Sequence, residues 1–142
     1  MPIERIIAGL SLGLILSGCS GGDPTATDAD LIYADGFATP RSEVELLADG
    51  GTMVRGFSAW LKLQPGYGGL SPRNESDYQD VDCAEPAEWF YQVTGDPGLK
   101  QDPYRLICLQ STDPRFDFDN GRWLVRDPAS GRVYYRIWKQ KE

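Results

Sequence analysis

Arg115-Phe116-Asp117-Phe118-Asp119-Asn120-Gly121-Arg122-Trp123-Leu124-Val125-Arg126-Asp127-Pro128-Ala129-Ser130-Gly131-Arg132-Val133-Tyr134-Tyr135-Arg136-Ile137-Trp138 is the stretch from which the fold is read. Asn120-Gly121 is a strong two-residue hairpin signal, because both central positions of a type I′ turn need positive φ. With Asp119 opposite Arg122, Phe118 faces Trp123, Asp117 faces Leu124, Phe116 faces Val125 and Arg115 faces Arg126. The next turn, 127–131, pairs Arg126 with Arg132, Leu124 with Tyr134 and Arg122 with Arg136. These registers agree with each other and predict a C-terminal β-meander.

One face of that meander gathers Phe116, Phe118, Trp123, Val125, Val133, Tyr135 and Ile137, an apolar set fit for the core. The other gathers Arg115, Asp117, Asp119, Arg122, Leu124, Arg126, Arg132, Tyr134, Arg136 and Trp138. Like charges facing each other across strands cost a fraction of a kcal/mol up to about 1 kcal/mol, and Asp117 and Asp119 neutralise only part of the arginine set. Such a face has two readings. It is a solvated outer surface on which guanidinium groups stack over Tyr134 and Trp138. Alternatively it is a recognition surface, since arginine with tyrosine and tryptophan is the composition of binding hot spots and the arginine fork matches carboxylates. The candidate binding residues are Arg122, Arg126, Arg132, Tyr134, Arg136 and Trp138.

Outward from the meander, Tyr104 to Leu109 reads as an apolar strand carrying Cys108, and Pro86 to Val93 as a short helix with Trp89, Phe90 and Val93 at helical spacing. Residues 64–82 are rich in Gly, Pro, Ser, Asn and Asp and read as a long loop, a class that is usually functional or disordered. Thr52 to Leu63 reads as a long strand, with Met53, Phe57, Ala59, Leu61 and Leu63 on one parity and Val54 and Trp60 on the other. Gly56 within it marks a bulge or a close backbone approach. Ser42 with Glu45 forms a capping-box spacing, predicting a short helix that Gly50-Gly51 ends. Leu31-Ile32-Tyr33 reads as a short extended segment.

At the N-terminus an apolar run from Ile6 to Leu16 is followed by Leu16-Ser17-Gly18-Cys19. The run has the length of a signal-peptide core and falls short of the roughly 20 residues of a membrane-spanning helix. Leucine, two small residues and a cysteine resemble the lipobox of bacterial lipoproteins. The resemblance implies a signal peptide over 1–18, lipidation of Cys19 with a diacylglyceryl thioether and an N-acyl chain such as palmitate, and attachment to the membrane by that anchor. It also implies a periplasm-facing position, and Ser20 after the cysteine, where an aspartate would favour the inner membrane, points to the outer membrane. Glu4 beside Arg5 departs from the usual basic leader. Two or more acyl chains hold a protein firmly, at about 0.8 kcal/mol per buried methylene. Residues 19–30, small and polar after the cysteine, form a flexible tether, and 31–142 a single periplasmic globular domain.

Composition narrows the function. The chain has 142 residues and a formal charge of −7; this argues against nucleic acid as a partner. Acidity is uneven. Asp23 to Asp49 holds seven acidic residues and one basic, whereas Asp96 to Glu142 holds nine basic and seven acidic, so the arginine face has a candidate partner within the chain itself. Histidine is absent, which removes the commonest general base and metal ligand together. With Cys19 assigned to lipid, Cys83 and Cys108 are an even pair suited to a disulfide in an oxidising compartment. Glu75, Asp77, Asp80, Asp82 and Glu85 crowd the long loop, but their spacing fits no EF-hand, and they read as a solvated acidic loop.

The sequence therefore predicts an α+β fold: a small antiparallel β-sheet of about five strands, one or two short helices on one side, the C-terminal meander and one disulfide. The leading function is non-enzymatic, a binding or structural accessory role in the envelope through the arginine and aromatic face, with an envelope protein or the cell wall as partner. No cofactor, metal or catalytic residue is assigned. The alternatives are a small carboxylate-dependent envelope hydrolase, or an inhibitor-like module acting through the 64–82 loop.

Overall fold

The computed structural model describes residues 29–53 and 56–140; the expected signal peptide, Cys19 and most of the expected tether lie outside them. Six strands form one antiparallel sheet: β1 (Val44–Thr52), β2 (Gly56–Pro65), β3 (Gln79–Asp80), β4 (Ile107–Ser111), β5 (Asp119–Arg126) and β6 (Val133–Gln140), in the order β1-β2-β6-β5-β4-β3. The last four strands run as a meander, and β6 closes against the β1–β2 hairpin. Helix α1 (Ala29–Gly36) covers one face, while α2 (Ala84–Thr94) and α3 (Gly98–Gln101) cover the other. The fold is α+β, with helices on both faces of the sheet where one side was expected.

The two faces carry separate cores. Under α1 lie Tyr33, Phe37, Ala59, Leu61, Leu63, Leu124, Tyr135 and Ile137. Under α2 and α3 lie Phe90, Leu99, Leu106, Trp123, Val125, Tyr134 and Trp138. Each fully buried side chain of leucine or phenylalanine size contributes about 1.5–3 kcal/mol. The parity expected for the long strand holds from Phe57 to Leu63, where Phe57, Ala59, Leu61 and Leu63 join the first core and Trp60 packs on the second. The strand begins at Gly56, however, and not at Thr52, which ends β1, and Met53 is exposed. Gly56 is a close backbone approach, since its φ is +119° and a Cβ there would lie 2.5 Å from the Lys139 carbonyl oxygen. Helix α2 forms as expected, with Pro86 in its first turn and Gly95, at φ +74°, ending it.

Three local expectations are overturned. Asn120-Gly121 is no turn but part of β5, whose extended course takes Gly121 beneath Trp138. A Cβ at Gly121 would meet the indole at 2.7 Å and the Ser111 carbonyl at 3.0 Å, so glycine serves packing there. The Asn120 side chain instead fixes the preceding loop, accepting from Asp113 N at 2.8 Å and donating to the Asp113 and Phe118 carbonyls. Residues 44–52 form strand β1, after a 3₁₀ turn at Arg41–Glu43, because more and less buried side chains alternate along it, a period of two; Gly50 gives Trp60 room, since a Cβ there would lie 2.6 Å from the indole nitrogen. Leu31-Ile32-Tyr33 belongs to a helix, which stacks Tyr33 on Phe37 at 5.0 Å and sets Gly36 against the Tyr135 ring.

The β5–β6 register also differs by one residue. Arg126 pairs with Val133, Leu124 with Tyr135 and Arg122 with Ile137. The connection between the strands, 127–132, is one residue longer than expected: the Asp127 N–H bonds to the Arg132 carbonyl, its carboxylate accepts from Ala129 N and Gly131 takes a φ of +78°. A shift of one residue moves a whole strand to the other face. Trp123 and Val125 therefore leave the expected company of Val133, Tyr135 and Ile137, and Arg122 and Arg126 part from Arg132, Tyr134, Arg136 and Trp138. Phe116 and Phe118 lie outside the sheet, in the loop before β5.

Cys83 and Cys108 are joined, with a Cα separation of 5.4 Å across 25 residues, tying the start of α2 to β4. Replacing either cysteine with serine is expected to lower unfolding stability by about 2–5 kcal/mol in urea denaturation under oxidising conditions. Gly121→Ala is expected to cost about 1–3 kcal/mol by overpacking Trp138 and to alter near-ultraviolet tryptophan dichroism; an unchanged spectrum and stability would contradict the strand placement.

Candidate functional site

The six candidate binding residues fall into two environments. Arg136 lies on central strand β6, cross-strand from Trp60 on β2 and from Trp123 on β5. Its guanidinium carbon is 4.2 Å from the Trp89 ring, 4.6 Å from Trp138 and 5.1 Å from Trp123. All four tryptophans of the chain thus gather round one arginine, whose Nε donates to Ser58 Oγ at 3.3 Å. Burial lowers the Arg136 pKa, against the carboxylates of Asp119 and Glu85, yet arginine stays charged in any protein setting. Contacts of this kind contribute about 0.5–1 kcal/mol when exposed and about 2 when desolvated. Trp138 is buried and donates Nε1–H to Asp119 Oδ1 at 3.1 Å.

Tyr134 is 2% exposed and donates its hydroxyl to Asp96 Oδ2 at 2.7 Å; the same oxygen is 2.7 Å from Lys62 Nζ. Arg132 lies beside Tyr134 and Asp96. Burial, then Asp96, raises the Tyr134 pKa. Burial alone would raise the Asp96 pKa, but hydrogen bonds from Lys62 and Tyr134 bring it below its ordinary value. These contacts pin the α2–α3 connection to the sheet. The β6 members of the candidate set are consequently internal groups under α2 more than a surface.

Arg122 and Arg126 face the opposite side. Arg126 reaches the Leu70 carbonyl at 3.5 Å. Arg122 donates Nε–H to the Tyr135 hydroxyl at 3.1 Å and Nη2–H to Asp35 Oδ2 at 3.0 Å. Burial opposes its charge, but Tyr135 and Asp35 raise its pKa above the ordinary arginine value. Asp35 belongs to the acidic N-terminal stretch, so the arginine side does engage that stretch.

Arg122 borders a polar cleft that sequence reasoning did not find. The cleft opens beside the edge of the sheet between residues 74–79 and 111–115 and has a volume of about 550 Å³. Two smaller hollows adjoin it, and Asp77 and Ser111 border all three. One wall starts at Asn74, a non-glycine residue with φ 53°, and turns through the 3₁₀ segment Glu75–Asp77 into β3. The other is the 111–115 segment that the Asn120 amide clamps at Asp113. Asp113 also accepts from Arg115, with Nη2 to Oδ2 at 2.6 Å, and these hydrogen bonds hold its pKa at about 2. Tyr78 underlies the wall; burial raises its pKa and its hydroxyl is enclosed.

The 64–82 segment is divided by its contacts. Tyr67 at its tip is fully exposed, residues 71–73 bond to Gly36, Ala38 and Thr39, and 74–79 form the cleft wall. Among the described residues no group of three or more carboxylates or cysteines is placed to hold a metal ion, and no helix is long and apolar enough to cross a membrane. No family model matches the chain, and no curated protein or solved structure matches it either.

Buried Asp127 accepts from Arg105 Nε at 3.3 Å and Arg105 Nη2 at 3.1 Å, a fork that ties the residues after α3 to the β5–β6 turn. Its pKa is lowered by Arg105 and the Ala129 N–H, against burial. For Asp96 and Asp127 the folded value lies below the unfolded one. Their stabilisation is complete above about pH 4 and is lost as pH falls through the folded values. Denaturation between pH 2 and 7 is expected to show this loss, and Asp96→Asn and Asp127→Asn a shallower acid limb.

Proposed function

We propose that this chain is a lipid-anchored lipoprotein of a bacterial envelope, facing the periplasm from the outer membrane, with a non-enzymatic binding role. The lipobox-like Leu16 to Cys19 run supports the anchor, and the Cys83–Cys108 bridge suits an oxidising compartment. The observation that carries the binding role is the cleft beside Arg122, lined mainly by polar groups, with one wall fixed by the Asn120 amide and the other by backbone hydrogen bonds of its 3₁₀ turn. Pre-ordered polar walls lower the entropic cost of binding. We read the contact surface as the Arg122 cleft, a reading supported by the burial of Tyr134 and Trp138 under α2.

Hydrolysis by paired carboxylates is less well supported. Such chemistry needs two acids across the substrate, one of them with a raised pKa, whereas Asp113 is tied to Arg115 and held at about 2. Asp77 is then the one carboxylate in the main cleft without such a tie among the described residues.

Mass spectrometry of the N-terminal peptide from membrane-extracted protein is expected to show Cys19 carrying the diacylglyceryl and N-acyl groups, and Cys19→Ser to leave the chain unlipidated. An unmodified Cys19 in the wild type would overturn the anchor.

A further inference from the structure

The ionised groups bordering the cleft and its adjoining hollows are three aspartates, 35, 77 and 113, and three arginines, 73, 115 and 122. Their formal charges cancel. Most are spent inside the protein: Arg122 on Asp35 and Tyr135, Arg115 on Asp113, and Arg73 Nε on the Ala34 carbonyl at 2.7 Å. A net charge on a ligand therefore meets little uncompensated field. The groups left to a ligand by the described residues are the Asp77 carboxylate, the Asn74 and Gln79 amides and the Ser76 and Thr112 hydroxyls. This set mixes acceptors with donors, and polar surface predominates over apolar in the lining, which disfavours lipids and aromatic ligands.

Neutral hydroxyl groups, each both donor and acceptor, complement such a lining. The volume of about 550 Å³ lies within the range of small-ligand sites and exceeds what a single ion or water cluster needs. The walls are also held in place: Asn74 turns one of them in the left-handed region, which asparagine adopts more readily than most residues, and the buried Asn120 amide clamps the 113–118 loop with three hydrogen bonds. We infer that the cleft binds a neutral, hydroxyl-rich saccharide of a few units, with Asp77 accepting and Gln79 both donating and accepting at its hydroxyls. The inference rests on the binding role proposed above and adds the class of ligand.

The test uses the full chain purified in detergent on an array of neutral, acidic and amine-bearing oligosaccharides of two to four units, with trialanine and free amino acids as peptide probes, followed by calorimetric titration of each hit. Neutral saccharides are expected to bind, and Asp77→Ala and Gln79→Ala each to weaken that binding about tenfold or more. Both side chains are exposed, so the melting temperature should be retained and reports any loss of fold. Acidic, amine-bearing or peptide hits that alone respond to the two variants would overturn the saccharide assignment and leave the cleft as a binding site. Neutral hits indifferent to both variants would place binding elsewhere and overturn the inference. Absence of binding by every probe would overturn the ligand class and the binding role of the cleft together.

Discussion

Burial of β6 on both faces is the constraint round which the remaining elements are placed. Val133, Tyr134, Tyr135, Ile137 and Trp138 are all buried, and successive side chains of a strand point to opposite faces. Such a strand needs cover above and below and neighbours on either side. The β1–β2 hairpin and β5 supply the neighbours, α1 one cover and α2 with α3 the other. Arg136 is the one residue of this run that is not buried outright, and the indoles of Trp89, Trp123 and Trp138 surround its charge. Gly50 and Gly121 belong to the same arrangement, since each leaves space for a cross-strand tryptophan.

Polar side chains then fix what the sheet leaves loose. Asp96 holds Lys62 and Tyr134, Asp127 holds Arg105, Asn120 holds Asp113 and Arg122 holds Asp35. Buried polar groups that find partners in this way rigidify a fold. Two of these clamps border the cleft, which links the packing of the sheet to the proposed function. The arginines that a one-face register would crowd together are divided between the two sides, each with its own partner, and the repulsion expected between facing guanidinium groups does not arise.

Much of this was legible from residue patterns. The meander, the parity of Phe57 to Leu63, helix α2 over Pro86 to Val93, and the pairing of Cys83 with Cys108 all follow from local spacing or from cysteine count. The register of β5 against β6 was not, because the turn at Asp127 is held partly from outside the hairpin, by Arg105, which lies 22 residues away in the chain. Asn120-Gly121 misled for a related reason: the pair satisfies a type I′ turn in isolation, but the glycine is required by Trp138 and the asparagine by Asp113.

By itself the sequence determined the period of Phe57 to Leu63 and of Pro86 to Val93 and the disulfide partners, since these depend on neighbours in the chain or on elimination among few residues. Tertiary structure decided which face each arginine occupies, that both faces of the sheet are buried, and that residues 74–79 and 111–115 meet in a cleft. Those outcomes follow from contacts between segments far apart in sequence, where a shift of one residue in one turn reassigns every side chain of a strand.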